Sequence, residues 1–219
     1  MTISPDLTLD QLRLALAPAV GEAAVFDGWS DTAIANAAEL EGVDPAVAAL
    51  AFKGGPEVLI DAWIAASDDA MTAALPAGSL AALPIRQRIR RLVLFRLERL
   101  AGQEEALRRA LTILAMPQHA RAALRLGWRS ADAMWRLAGD TATDYNHYTK
   151  RAMLASIYAA TLGVFAYDQS EGHADSHAFL DRRIDDVMKI EKTKARLLRK
   201  DTERFSPARL LGRLRYPAR

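Results

Sequence analysis

Apolar residues recur along this chain at three- and four-residue steps, the helical period, and no alternating strand pattern stands out. Leu9, Leu12, Leu16 and Val20 stripe a first helix over 9–24. Ser30 or Asp31 can cap a second, Thr32 to Leu40, and Asp44-Pro45 pairs a cap with proline at the first helical position of a short third, Ala46 to Phe52. Pro56 starts a fourth helix through Leu59, Ile60, Trp63 and Ile64 towards Met71. After a break over Leu75 to Pro84, Ile85, Ile89, Leu92, Val93, Leu97 and Leu100 stripe a fifth helix, and Glu104 to Met116 forms a sixth. A short amphipathic piece, Gln118 to Leu126, precedes a helix that Ser130 caps and Gly139 closes. Thr143 caps the next, His173 to Ser176 is a polar turn, and Phe179, Leu180, Ile184, Val187 and Met188 stripe the last strong helix.

One stretch departs from this amphipathic rule. Ala152 to Tyr167 is sixteen residues without a charge, roughly 24 Å of helix. Leu154, Ile157, Tyr158, Thr161, Leu162 and Phe165 form its large face, and Ala155, Ser156, Ala159, Ala160 and Gly163 the opposite, small one. Such a helix is expected at the centre of the molecule or of a dimer. It is short of the apolar length of a membrane span, and Ser156, Thr161 and Gly163 dilute it further.

Charge adds an asymmetry. The net +2 conceals ten Lys/Arg against two acids from Lys192 to Arg219, a tail of +8 on a body of −6. A basic tail suits an anionic surface. Three regions follow: 1–75, a helix-turn-helix-like unit; 84–190, a helical domain, which the likeness set out below implies is lipid-binding and dimerising; and 191–219, the basic tail. The order of the first unit resembles the N-terminal unit of TetR-type regulators. However, Pro45 to Phe52 offers no donor for base edges or phosphates, and Lys53 is the only cation between Arg13 and Arg86. A regulator with a small-molecule pocket is therefore the alternative reading, with no nucleic acid in the preferred one. The arginines of the fifth helix, Arg86, Arg88, Arg90, Arg91, Arg96 and Arg99, read as a solvated face with long stems over apolar neighbours.

Catalytic signatures are wanting. With no cysteine there is neither a disulfide nor a thiolate. No Gly-x-Ser-x-Gly, phosphate loop or paired Glu-x-x-His appears, and His173 and His177 flank a glycine-bearing turn. Asp144 with His147 is the one visible acid–base pair. Apolar volume remains: Phe95, Met116, Trp128, Trp135, Met153, Tyr158 and Phe165 are spread over successive helices, as a sheath around an oily ligand requires.

Three segments carry a family likeness: Trp128 to Trp135, Asp144 to Leu154, and Phe179 to Met188. With Gly28-Trp29-Ser30 and Lys53 to Glu57, they resemble the TetR-fold accessory lipid-binding protein of ubiquinone biosynthesis over roughly residues 10 to 190. The resemblance implies an all-α, TetR-like, non-enzymatic homodimer without cofactor or metal. It implies binding of isoprenoid lipids, including quinone intermediates, and their presentation to the demethoxyubiquinone hydroxylase. The partner-facing patch falls on Met134, Asp144, His147, Tyr148 and Arg151, with His147 where relatives often place Trp. Leu92, Phe95, Met116, Trp128, Trp135, Leu154, Tyr158 and Phe165 are the expected lipid contacts. The location implied is cytoplasmic, peripheral on the inner membrane, with the arginine-rich tail at the anionic leaflet.

Overall fold

The computed structural model describes residues 6–141 and 145–202; Thr143, Asp144 and the tail beyond 202 lie outside them. The described residues are all-α with no strand, in nine helices: α1 Leu9–Asp27, α2 Asp31–Glu41, α3 Pro45–Ala51, α4 Pro56–Ala74, α5 Ile85–Leu100, α6 Glu104–Leu114, α7 Ala120–Leu137, α8 Tyr145–Phe165 and α9 Ala174–Thr202. Two units are distinguished, Met1–Asp181 and Arg182–Arg219. None of the described helices is long and apolar enough to cross a membrane.

Local chemistry sets the helix ends. Thr8 and Gln11 exchange side-chain and backbone hydrogen bonds in a capping box that starts α1. Ser30 accepts from the Ala33 amide to start α2, and Asp44 from the Ala46 amide at 2.8 Å to start α3. Gly42 closes α2 at φ 70°, ψ 30°, a left-handed position that glycine takes without a Cβ penalty. Pro45, Pro56 and Pro117 open their helical segments, where the missing N–H is no loss.

The three N-terminal helices join the rest of their unit through tryptophans. Trp29 donates from Nε1 to the Ala106 carbonyl of α6 at 3.0 Å. Its ring lies 5.0 Å from that of Trp63 on α4. Gly21 is what lets Trp63 lie so close to α1, since a Cβ there would collide with the indole. Arg13 donates to the Ala51 carbonyl at 2.5 Å, holding α3 against α1.

Two expectations need correction. The chain does not break at Gly127–Ser130: α7 is one helix through both predicted pieces, and Ser130 is a buried mid-helix residue. The cap reading failed because its hydroxyl is engaged by α4 and α5. Likewise Ser176 is helical and fully buried, not part of a polar turn. Its amide and hydroxyl both donate to Asp168 Oδ2, at 2.8 and 2.5 Å. Burial pushes the Asp168 carboxyl up, but the hydrogen bonds of Ser170 and Ser176 outweigh it and hold its pKa far below the ordinary value. α8 buries Leu154, Tyr158, Thr161 and Phe165, whereas Ser156, Ala160 and Gly163 are exposed.

Candidate functional site

A cavity of about 320 Å³ opens among α1, α4, α5, α6, α7 and α8. Ile60, Ile64, Leu107, Leu111, Leu126 and Leu162 supply much of its apolar wall. Pro18 lines it from inside α1, and small residues on α6 to α8, such as Ala110, Ala123 and Ala155, leave the space unfilled. Its size is at the lower end for small-molecule pockets. Trp63 and Gln103 meet at one wall, the indole N–H donating to the amide oxygen at 3.1 Å.

Another wall is polar and deeply buried. Arg96, only 2% exposed, extends from α5 between α4, α7 and α8. Its Nε donates to the Tyr158 hydroxyl at 2.8 Å. Nη1 pairs with Asp68 Oδ1, and Nη2 donates to Ser130 Oγ at 3.2 Å. Ser130 in turn donates to Asp68 Oδ2 at 3.3 Å. Burial opposes the Arg96 charge, but Tyr158 and Asp68 favour it more strongly and hold its pKa above the ordinary value. The carboxylate and guanidinium cancel, so this wall is polar without net charge. Arg96, Ser130 and Tyr158 all line the cavity.

The expectation that Arg96 belongs to a solvated face is therefore overturned. A signal for it existed. Arg96 stands four residues after Leu92 and four before Leu100, on the apolar stripe itself. Asp68 stands four after Ile64 and three before Met71, and Ser130 midway between Leu126 and Met134 at four-residue steps. Polar residues in the phase of an apolar stripe are buried by the stripe, and once buried they need partners.

Of the residues expected to touch lipid, Tyr158 lines the cavity; the other seven are outside its lining. Leu92, Leu154 and Phe165 are core residues. Phe95 and Trp135 are half-buried, and the Trp135 indole donates to the Lys150 carbonyl at 2.9 Å. Met116 and Trp128 are surface-exposed. The proposed partner patch is gathered only in part. Trp128, His147 and Tyr148 form a ring cluster with centroids 5.1 to 6.4 Å apart, and Tyr148 is 60% exposed. Met134 is fully buried, so no partner can reach its side chain in this fold. Arg151 is buried too, its guanidinium donating to Asp132 at 2.5 Å, Asp140 at 3.0 Å and the His147 carbonyl at 3.1 Å. Asp144 lies outside the described residues. On α3, the exposed Val47 and Leu50 present methyl groups rather than donors.

A sequence model of the COQ9 family matches residues 120–191, which span α7, α8 and the start of α9. The mitochondrial ubiquinone biosynthesis protein COQ9 of Homo sapiens is 33% identical over 191 residues, 84% of this chain and 60% of that protein. Its Rattus norvegicus counterpart is 34% identical over 76% of this chain and 55% of its own length. Residues 120–191 carry the COQ9 family's sequence, and the wider chain is similar to its ubiquinone biosynthesis proteins. The chain spans somewhat over half the length of those relatives. The fold has a solved counterpart in a TetR transcriptional regulator from Nitrosomonas europaea, with TM-score 0.62 at 22% identity over 80% of this chain and 97% of that one. That likeness is one of fold alone. The segment matching the COQ9 family model contributes Ser130 and Tyr158 to the cavity wall, and contains the ring cluster of Trp128, His147 and Tyr148.

Proposed function

We propose that this chain is a non-catalytic lipid-binding accessory protein of ubiquinone biosynthesis. It holds isoprenoid quinone intermediates in the cavity among α1 and α4 to α8 and presents them to a demethoxyubiquinone hydroxylase at a membrane surface. The observation carrying this reading is the cavity itself: an apolar-walled void with a buried, charge-neutral polar group in its wall, inside a chain whose named relatives are ubiquinone biosynthesis proteins. An apolar wall binds a prenyl chain without direction, and a few fixed polar groups orient it.

Two surfaces support the rest. The Trp128, His147 and Tyr148 cluster is the partner-facing patch; aromatic residues of this kind anchor protein interfaces. The small face of α8, exposed in the protomer at Ser156, Ala160 and Gly163, suits close approach of a second copy. The basic tail adds attraction to an anionic leaflet, about 1 kcal/mol for each Lys or Arg near the surface. Native mass spectrometry and lipid extraction of the purified chain test the reading. Co-purifying isoprenoid quinone or its precursor is the expected result; repeated preparations free of isoprenoid, which also fail to take it up, would refute it.

A further inference from the structure

We propose that Tyr158 seats the polar end of the cavity's occupant, so that the ligand binds with an acceptor oxygen inward, hydrogen-bonded to the Tyr158 hydroxyl. This rests on the lipid-holding reading above and specifies which chemistry the cavity recognises. Tyr158 is 6% exposed and lines the void. Its oxygen accepts the Arg96 Nε–H at 2.8 Å. Among the described residues its own O–H has no acceptor in hydrogen-bonding reach, whereas the neighbouring Ser130 hydroxyl spends its proton on Asp68. A phenol that accepts from a cation is polarised towards donating, and hydrogen bonds in a chain strengthen one another. A buried donor left unmade costs free energy that an incoming oxygen recovers.

The electrostatics narrow the class further. Arg96 carries its charge, but Asp68 pairs with it directly, and Arg129, whose Nε lies 3.4 Å from the same carboxylate, is itself paired with Asp61. The guanidinium facing Tyr158 is thus already neutralised by protein. The matching oxygen is a neutral one, such as a ring carbonyl, and not a carboxylate or phosphate that brings its own charge into an apolar cavity. The aliphatic wall then accommodates the isoprene units attached to that ring.

The test compares two probes on the full chain: a short quinone with two isoprene units, and a benzene ring bearing the same tail without ring oxygens. The wild-type chain is expected to bind the quinone about tenfold more tightly, a hydrogen bond's worth of affinity. Tyr158→Phe, which keeps the ring and removes the hydroxyl, is expected to abolish that preference while leaving the oxygen-free probe's affinity unchanged. Equal binding of both probes by the wild type, or a preference surviving in Tyr158→Phe, overturns the seat while leaving the lipid-holding reading intact. Binding of neither probe overturns both. A second measurement needs no variant: the infrared carbonyl stretch of a ¹³C-labelled quinone bound to the wild-type chain. A shift to lower frequency relative to an alkane solution is expected, and an unshifted pair of carbonyl bands overturns the proposal.

Discussion

Arg96 and Arg151 are each 2% exposed, and each lies on the apolar stripe of its helix with carboxylates for partners. They nonetheless do different things. Arg151 spends its hydrogen bonds on Asp132 of α7, on Asp140 and on the His147 carbonyl, fastening the first turns of α8 to the end of α7. Lys150 joins it on Asp140 at 2.6 Å. Every contact in that cluster holds backbone elements together beneath the exposed ring cluster. Arg96 also ties helices together, but one of its partners, Tyr158, lines a void. A buried arginine becomes part of a binding site when a group it orients faces empty space. It remains a clamp when all its partners are structural.

The strongest way to break this comparison is to remove each arginine. Arg96→Met should cost about 3–5 kcal/mol in denaturant unfolding, because it removes the close partner of the buried Asp68 carboxylate; Arg151→Met should cost less, because Lys150 still pairs with Asp140 and Arg136 with Asp132. Only Arg96→Met should also weaken quinone binding, read by quenching of Trp63 in the cavity wall; Arg151→Met should change that affinity by less than about twofold. The double variant Asp68→Leu/Arg96→Met should regain most of the lost stability, since a buried pair replaced by apolar residues of similar volume is often neutral. A double variant no more stable than Arg96→Met contradicts the assignment of that cost to the stranded carboxylate.

A smaller effect separates the void from its walls. Ala110→Phe extends a ring into the cavity from α6, and should lower ligand affinity about tenfold or more by occupying space that the ligand needs. The melting temperature should stay close to that of the unmodified chain, because the added ring enters a void and not a filled core. A collapsed thermal transition would show the space to be closed in solution.

Acid separates the clusters by titration. Burial raises the Asp140 pKa, but hydrogen bonds from Lys150 and Arg151 lower it further, to a net value below normal. The stability that this group supplies is therefore complete above about pH 4, where the unfolded carboxyl is ionised, and fades as pH falls through the lower folded value. Asp168, held low by the hydroxyls and amides of Ser170 and Ser176, adds loss in the same direction. Thermal melts should fall steadily below pH 4, and the slope should be shallower in Asp140→Asn. The smallest stability change belongs to the surface: Tyr148→Ala should alter unfolding by less than about 0.5 kcal/mol, as expected of an exposed side chain. Its expected effect is on capture of the hydroxylase in a pull-down, and unchanged capture would remove the ring cluster from the interface.

The helical class, the caps at Ser30 and Asp44, the proline starts and the donor-free α3 were all readable in order along the chain, because each is governed by residues within one or two turns. The COQ9 likeness was legible for the same reason: its motifs are contiguous. The cavity lining was hidden, apart from Tyr158. Large aromatics such as Trp128 and Met116's thioether looked like pocket residues, yet the walls are mostly aliphatic and alanine. A void is made by what is missing between helices, and no single helix's pattern encodes an absence.

The sequence alone determined the helical class and most helical segments, and it set Arg96, Asp68, Ser130 and Arg151 in apolar phase without deciding that they are buried. Only the tertiary structure decided which of them meet. Ser130 could not be told from a cap, nor Arg96 from a snorkelling surface cation, until α4, α5, α7 and α8 were brought together. The pairing of polar groups 28 to 62 residues apart depends on helix crossing, which periodicity does not specify. That crossing also set Tyr158, hydrogen-bonded to Arg96, in the cavity wall, the feature on which the proposed recognition of a ligand turns.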